Sequence, residues 1–281
     1  MDKVRVAAVC FSAATKDIKG NLDRMEQYVR EAKEAGAAII CFPELSVTGY
    51  FLSNPAAICP RPAYEYALKR LEKTARLNRM LILAGIMEPS DDGRPFIAHL
   101  ITGPKGLIGL YRKTHLSPKE KETYREGQRI DTFGFGRLTF GVQLCYETHF
   151  PEISTVMALK GVEIIFAPHA SPRGTPEDKI ESWLRHLSAR AFDNACFIVA
   201  CNQCGKNAAG LSFPGVILAF NPSGRVLAES YQDKDHMLVI DLDMKELKEI
   251  KAHKMRYFLP NRRPELYGDL VDSRGWQVPG K

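Results

Sequence analysis

The sequence predicts an α/β fold, and three observations predict it. Short, wholly apolar runs rich in β-branched residues recur along the chain, as they do in strands buried on both faces of a sheet. These runs alternate with segments whose apolar residues fall at helical spacing. The alternation also occurs twice, so that strand, helix, strand, helix, strands is followed by a second set in the same order.

In the first set, residues 4–10 form an apolar strand pattern. Residues 21–35 follow as a helix with Leu22, Met25, Val29 and Ala32 on one face, and Gly36 stands where a helix stop belongs. Residues 37–42 are a buried strand that ends at Pro43-Glu44. A second helix is expected over 63–77 and a strand over 80–87. The Asp91-Asp92-Gly93-Arg94-Pro95 stretch is turn chemistry. Residues 96–102 and 106–111 flank Gly103-Pro104-Lys105-Gly106 as a hairpin, which delivers Lys113 to a strand end.

The second set begins with the apolar run 138–144, which ends at Cys145. Residues 151–160 are a helix with proline in its first turn. Residues 162–167 are a buried strand, 176–194 a longer helix and 196–201 a strand. Residues 211–228 form a hairpin about Asn221-Pro222-Ser223-Gly224, and 237–242 a last strand. No short-period repeat or low-complexity linker divides the chain, so residues 1–281 are expected to be a single domain. Residues 245–281 carry aromatics and arginines without a clean period. They are expected to form a C-terminal tail lying over the surface or at a subunit interface.

Composition excludes several function classes. The 281 residues are 45% hydrophobic and 26% charged, values of a globular protein. The net charge of +6 is mild and interspersed with acids, and no basic run is interleaved with aromatics, so nucleic acid is not an expected partner. The first ten residues show no charged-then-apolar leader, and no apolar run approaches the roughly 18 residues of a membrane span. No membrane association is expected. Seven dispersed cysteines do not make a disulfide framework, which points to a reducing, cytoplasmic setting.

Three strand ends thus offer Glu44, Lys113 and Cys145. Alone, Cys145 and Lys113 have ordinary structural explanations, a buried thiol and a solvated surface lysine. Together their surroundings resemble the nitrilase superfamily of carbon-nitrogen hydrolases over nearly the whole chain. F-P-E-L-S-V-T-G-Y, ending at Tyr50, is similar to that family's general-base motif. Y-R-K-T-H-L is similar to its lysine motif, and G-V-Q-L-C-Y-E-T-H-F-P-E to its nucleophile motif. Glu120, seven residues before Gly127, fits a second family glutamate better than Glu122. A-R-A-F-D-N at 189–194 and C-N-Q-C-G at 201–205 are similar to the family's helix and following strand.

The resemblance implies a four-layer αββα sandwich and cysteine-dependent hydrolysis of a non-peptide C–N bond. Glu44 would take the thiol proton as Cys145 attacks the carbonyl and would return it to the leaving amine. A thioester would then be hydrolysed. Lys113 and the backbone N–H of Tyr146 would hold the oxyanion, each donor contributing about 3–4 kcal/mol. Glu120 would orient Lys113 or the substrate nitrogen. Tyr50, His149 and His169 are expected to line the pocket, with a structural role for His169 equally open. No metal or organic cofactor is implied.

The family's nitrile hydrolysers usually carry tryptophan after the nucleophile. Tyr146 stands there, which favours a small amide or, alternatively, an N-carbamoyl amine over a nitrile. Thr148 and His149 stand where members acting on carboxylate-bearing substrates often have arginine, and argue against such a substrate. Thr155 and Gly215-Val216-Ile217 also depart from the family pattern, at a surface helix and a pocket wall. A homodimer or larger assembly is implied.

Rival readings fare worse. A serine-hydrolase-type elbow would want glycine at Gln143 and Glu147. Cys201-Asn202-Gln203-Cys204 is one C-x-x-C without a second pair at zinc-finger spacing. A catalytically silent binding protein would be free to lose one of the three site residues, and none is lost.

Overall fold

The computed structural model describes residues 2–172 and 174–272. In chain order the first set of elements is β1 (Lys3–Cys10), α1 (Ile18–Glu34), β2 (Ile39–Cys41), α2 (Arg61–Asn78), β3 (Leu81–Glu88), β4 (Phe96–Gly103) and β5 (Gly106–Arg112). The second is β6 (Thr132–Phe135), β7 (Leu138–Val142), α3 (Pro151–Leu159), β8 (Ile164–His169), α4 (Pro176–Asn194), β9 (Phe197–Asn202), β10 (Gly205–Lys206), β11 (Ser212–Phe213), β12 (Val216–Phe220) and β13 (Val226–Tyr231). β14 (His236–Asp243) and α5 (Met244–Ala252) close the described fold, followed by short 3-10 turns.

Two six-stranded sheets result, ordered β14-β1-β2-β3-β4-β5 and β13-β12-β9-β8-β7-β6. Each has a parallel centre, β1-β2-β3 in one and β7-β8-β9 in the other. An antiparallel hairpin continues each centre, β4-β5 beside β3 and β12-β13 beside β9. The duplicated pattern of the sequence is therefore a duplicated sheet. An antiparallel strand also guards the other side of each centre: β14 pairs with β1 over Lys3↔Asp243 to Cys10↔His236, and β6 pairs with β7.

The sheets face each other, β1 packing on β9 and β12, and the Cys201 thiol donates to the Cys41 carbonyl across the gap at 3.7 Å. On the outside, α2 covers β3, β4 and β5 with α1 beside it, while α4 covers β9 and β12 with α3 beside it. Layer order is thus helix, sheet, sheet, helix, the four-layer αββα sandwich.

Local chemistry explains the elements. α1 buries Leu22, Met25, Val29 and Ala32, and Asp17 caps it by accepting from Gly20 N. α4 starts at a reciprocal cap, in which the Thr175 hydroxyl accepts from Asp178 N and the Asp178 carboxylate accepts from Thr175 N. Gly85 in β3 lets the chain segment after β2 lie flat on the strand, since a Cβ there would collide with Leu45 N and the Glu44 carbonyl carbon.

Some expectations shift. The strand expected over 37–42 shortens to Ile39–Cys41, because Pro43 has no N–H and the chain turns away there. Strand β6 carries little apolar signal, its residues being largely half-buried at a sheet edge. The hairpin about Asn221–Gly224 begins at Val216, and Ser212–Phe213 pairs instead with Gly205–Lys206. The expected aperiodic tail opens with a regular helix, α5, capped by Asp243; its last residues, 273–281, lie outside the described ones. Among the described residues no helix is long and apolar enough to cross a membrane.

Candidate active site

Four strand exits meet at one end of the sandwich. Glu44 leaves β2, Lys113 leaves β5, Cys145 leaves β7 and Ala170 leaves β8. β5 runs in the direction of β3 because two antiparallel steps separate them, so its C-terminal end opens on the same side as those of β2 and β3. Strand carboxyl ends are where open α/β sheets place their ligands.

Lys113 sits at the centre and is fully buried, as is Glu44. Its Nζ donates to Glu44 Oε1 at 2.8 Å and to both carboxylate oxygens of Glu120 at 3.0 Å. Glu44 Oε2 accepts from the backbone N–H of Ala170 at 3.0 Å, and the Glu44 carbonyl accepts from the Gln203 side chain at 2.8 Å. Glu120 also accepts from Ser117 N at 2.8 Å and from the Tyr50 hydroxyl at 3.4 Å. The lysine therefore bridges two carboxylates that are themselves fixed by backbone donors.

Cys145 opens a 3-10 turn, Cys145–His149, with the left-handed φ of 43°. For a residue with a Cβ this costs about 1–2 kcal/mol. Leu45, next to Glu44, is left-handed too, at 56°. The Cys145 carbonyl is held by the Thr148 hydroxyl at 2.7 Å, and its half-buried side chain lines a cavity of about 930 Å³. Tyr50, Glu120, Tyr146, His149 and His169 line the same cavity.

Electrostatics set the resting protonation. Burial raises the Glu44 carboxyl to about 7, the Glu120 charge adding to it and the Lys113 ammonium opposing it. Burial pushes the Cys145 thiol up to about 12, with the Glu44 charge adding and Lys113 opposing. Burial acts to lower Lys113, but Glu44 and Glu120 outweigh it and hold the ammonium well above its ordinary value. At neutral pH the site is thus a thiol, an ammonium and a Glu44 carboxyl whose pKa lies near 7.

The sequence profile of the carbon-nitrogen hydrolase family matches residues 5–252. The chain belongs to that family. It is similar to a probable nitrilase of Schizosaccharomyces pombe, 29% identical with 96% of this chain and 99% of the relative covered. It is similar to an (R)-stereoselective amidase of Pseudomonas sp, 30% identical over 83% and 82%. An N-carbamoylputrescine amidase of Oryza sativa subsp. japonica is 29% identical over 97% and 96%. Among solved structures it is similar to an amidase of Nesterenkonia sp., with TM-score 0.81, 26% identity and 95% and 96% coverage. A variant of a Nesterenkonia amidase showing covalent addition of the acetamide moiety of fluoroacetamide at its active-site cysteine matches with TM-score 0.83, 25% identity and 95% and 96% coverage.

In this carbon-nitrogen hydrolase the expected residues are brought together, with differences in detail. Glu120 is bonded to Lys113 and also reaches the cavity wall. His169 is fixed structurally, its Nδ1 facing the Ala167 carbonyl at 2.7 Å, and it also lines the cavity, so the two roles left open by the sequence coexist. Cys201 and Cys204 diverge, one toward Cys41 and the other toward Asp235 at 3.3 Å. Among the described residues no cluster of His, Cys, Asp and Glu is placed to hold a metal.

Two features escaped the sequence reading. Glu147 is buried and gathers four donors: the Tyr111 hydroxyl at 2.9 Å, Thr114 N and Thr114 hydroxyl at 2.6 Å, and Leu144 N at 2.6 Å. It fastens the residue after Lys113 to the residue before Cys145. One face of α4, Lys179, Ser182, Trp183 and His186, also forms a cavity wall. Its i, i+3, i+4, i+7 spacing was visible in the sequence, but nothing there said which helix faces the site.

Proposed function

We propose that this protein hydrolyses the C–N bond of a small amide, releasing ammonia and a carboxylic acid through a thioester on Cys145. The observation that carries the reading is Lys113 Nζ held between Glu44 and Glu120 beside a cavity walled by Cys145. Glu44 accepts the thiol proton as the sulfur attacks the amide carbon, and the oxyanion is held by Lys113 Nζ and the N–H of Tyr146. Collapse of the tetrahedral intermediate expels the nitrogen as ammonia, which takes the proton from Glu44. Water then gives a proton to Glu44 and attacks the thioester, and the sulfur leaves with that proton to restore the thiol. Glu120 keeps Lys113 charged and aimed.

Relatives named amidase, and the acetamide adduct on a relative's cysteine, support this reading. A second reading, hydrolysis of an N-carbamoyl amine by the same steps, is supported by relatives named N-carbamoylputrescine amidase. We further infer that residues 1–281 act as one domain. Residues 245–281 would contribute to a homodimer or larger assembly, as the exposed Met255, Phe258, Leu266, Leu270 and Val271 suit a contact surface. Ammonia release from a panel of simple amides, carbamoyl amines and nitriles tests the reaction. Turnover of amides or carbamoyl amines, lost in Cys145→Ala, is expected; silence on all three with no thiol labelling at Cys145 would overturn it.

A further inference from the structure

The cavity is far larger than a bare carboxamide requires, so its outer wall has an acyl group to select. That wall is built of flat rings and a cation. His169 packs against Trp183 with ring centroids 4.6 Å apart and planes tilted by 45°, and His149 packs against His186 at 4.6 Å, tilted by 38°. Between them and the 170–172 segment lies Lys179, only 8% exposed, whose Nζ donates to the Ser171 hydroxyl at 2.6 Å.

We propose that Lys179 and Ser171, at the end of the imidazole and indole wall, form a subsite for a carboxylate carried by the acyl part of the substrate.

The sign of the local field supports it. His149, His169 and His186 are all held neutral, first by burial and then by neighbouring cations, with Lys179 acting on every one of them and Arg190 on two. Lys179 also opposes the upward push on the Cys145 thiol, so its charge is felt where the acyl group would be attached. Asp178 borders the cavity too, its Oδ2 fixed by the Thr175 N–H at 2.9 Å as the cap of α4. A wall of neutral rings around an ammonium admits an anionic group and repels an ammonium one. Thr148 and His149 offer no fixed cation just after the nucleophile; the cation comes instead from α4, at Lys179. The subsite deepens the amidase reading and rests on it for its orientation toward Cys145.

The test is a matched series of butyramide, its ω-carboxylate analogue and its ω-ammonium analogue. Wild type is expected to favour the carboxylate amide over butyramide in kcat/KM, and to disfavour the ammonium amide. Lys179→Met should cut the carboxylate-to-butyramide ratio about tenfold or more, the loss of one charge-assisted contact. Lys179→Arg should restore part of the ratio, and Lys179→Glu should shift preference toward the ammonium amide. A wild type that prefers butyramide or the ammonium amide, or a Lys179→Met protein that slows all three in parallel, would overturn the subsite. Binding of the same three compounds to the Cys145→Ala protein separates the two readings. Selective carboxylate binding lost in Lys179→Met/Cys145→Ala upholds the subsite even if no amide is turned over, and equal binding of all three refutes it.

Discussion

Glu147→Gln tests whether the nucleophile turn is held in register with Lys113 by one carboxylate. Glu147 Oε1 accepts from the Tyr111 hydroxyl, Thr114 N and the Thr114 hydroxyl, and Oε2 accepts from Leu144 N. Two obligate donors, Thr114 N and Leu144 N, face opposite oxygens, so this group works as a carboxylate even though burial pushes its pKa up. Glutamine must turn its NH₂ toward donors on either side. Either orientation leaves one buried backbone N–H, Leu144 N or Thr114 N, unpaired and the remaining bonds without charge assistance, for about 2–4 kcal/mol of stability. Leu144 precedes Cys145, whose φ of 43° relaxes once its neighbour is released. A displacement near 1 Å at a reacting atom costs about a hundredfold in rate. Denaturant unfolding gives the first quantity, and the rate of Cys145 alkylation by a haloacetamide, with kcat, gives the second. Stability within about 0.5 kcal/mol of wild type, together with alkylation within about twofold, would refute the reasoning.

Other outcomes follow from the same geometry. Because burial raises Glu44 to about 7 and the reaction needs it as a base, kcat/KM is expected to be full above that pH and to fall as pH drops through about 7; a limb near the ordinary carboxylate range would contradict this. Gly85→Ala forces a methyl group into Leu45 N and the Glu44 backbone, which should cost about 1–3 kcal/mol in thermal unfolding and slow turnover disproportionately. Exhaustive chelation is expected to leave amide turnover unchanged, and loss of activity restored by an added metal would overturn the proposed chemistry.

The legible part of the sequence was the part with local cause. α4 matched over 176–194 because proline in its first turn and the Thr175 and Asp178 pair mark its start within a few residues. Strand ends at Glu44, Lys113 and Cys145 were visible because apolar runs stop there. What stayed hidden depends on contacts between distant segments. The partnership of β14 with β1 joins segments far apart along the chain, Lys3–Cys10 and His236–Asp243, and no periodicity reports it. The left-handed turn at Cys145 gives no glycine signal, because its strain is carried by the Thr148 and Glu147 bonds instead. Glu147 carried no local signal, since its partners Tyr111 and Thr114 lie in β5 of the other sheet and just after it. Lys179 looked like any helix lysine until α4 was seen to turn that face inward.

The central claim is that the sulfur of Cys145 carries the acyl group. Rapid acid quench during turnover of an amide, followed by mass spectrometry of the digested protein, tests it directly. An acyl adduct is expected on the peptide containing Cys145, absent from Cys145→Ala. Full turnover by Cys145→Ala, or an acyl group mapped to any other residue, would contradict it.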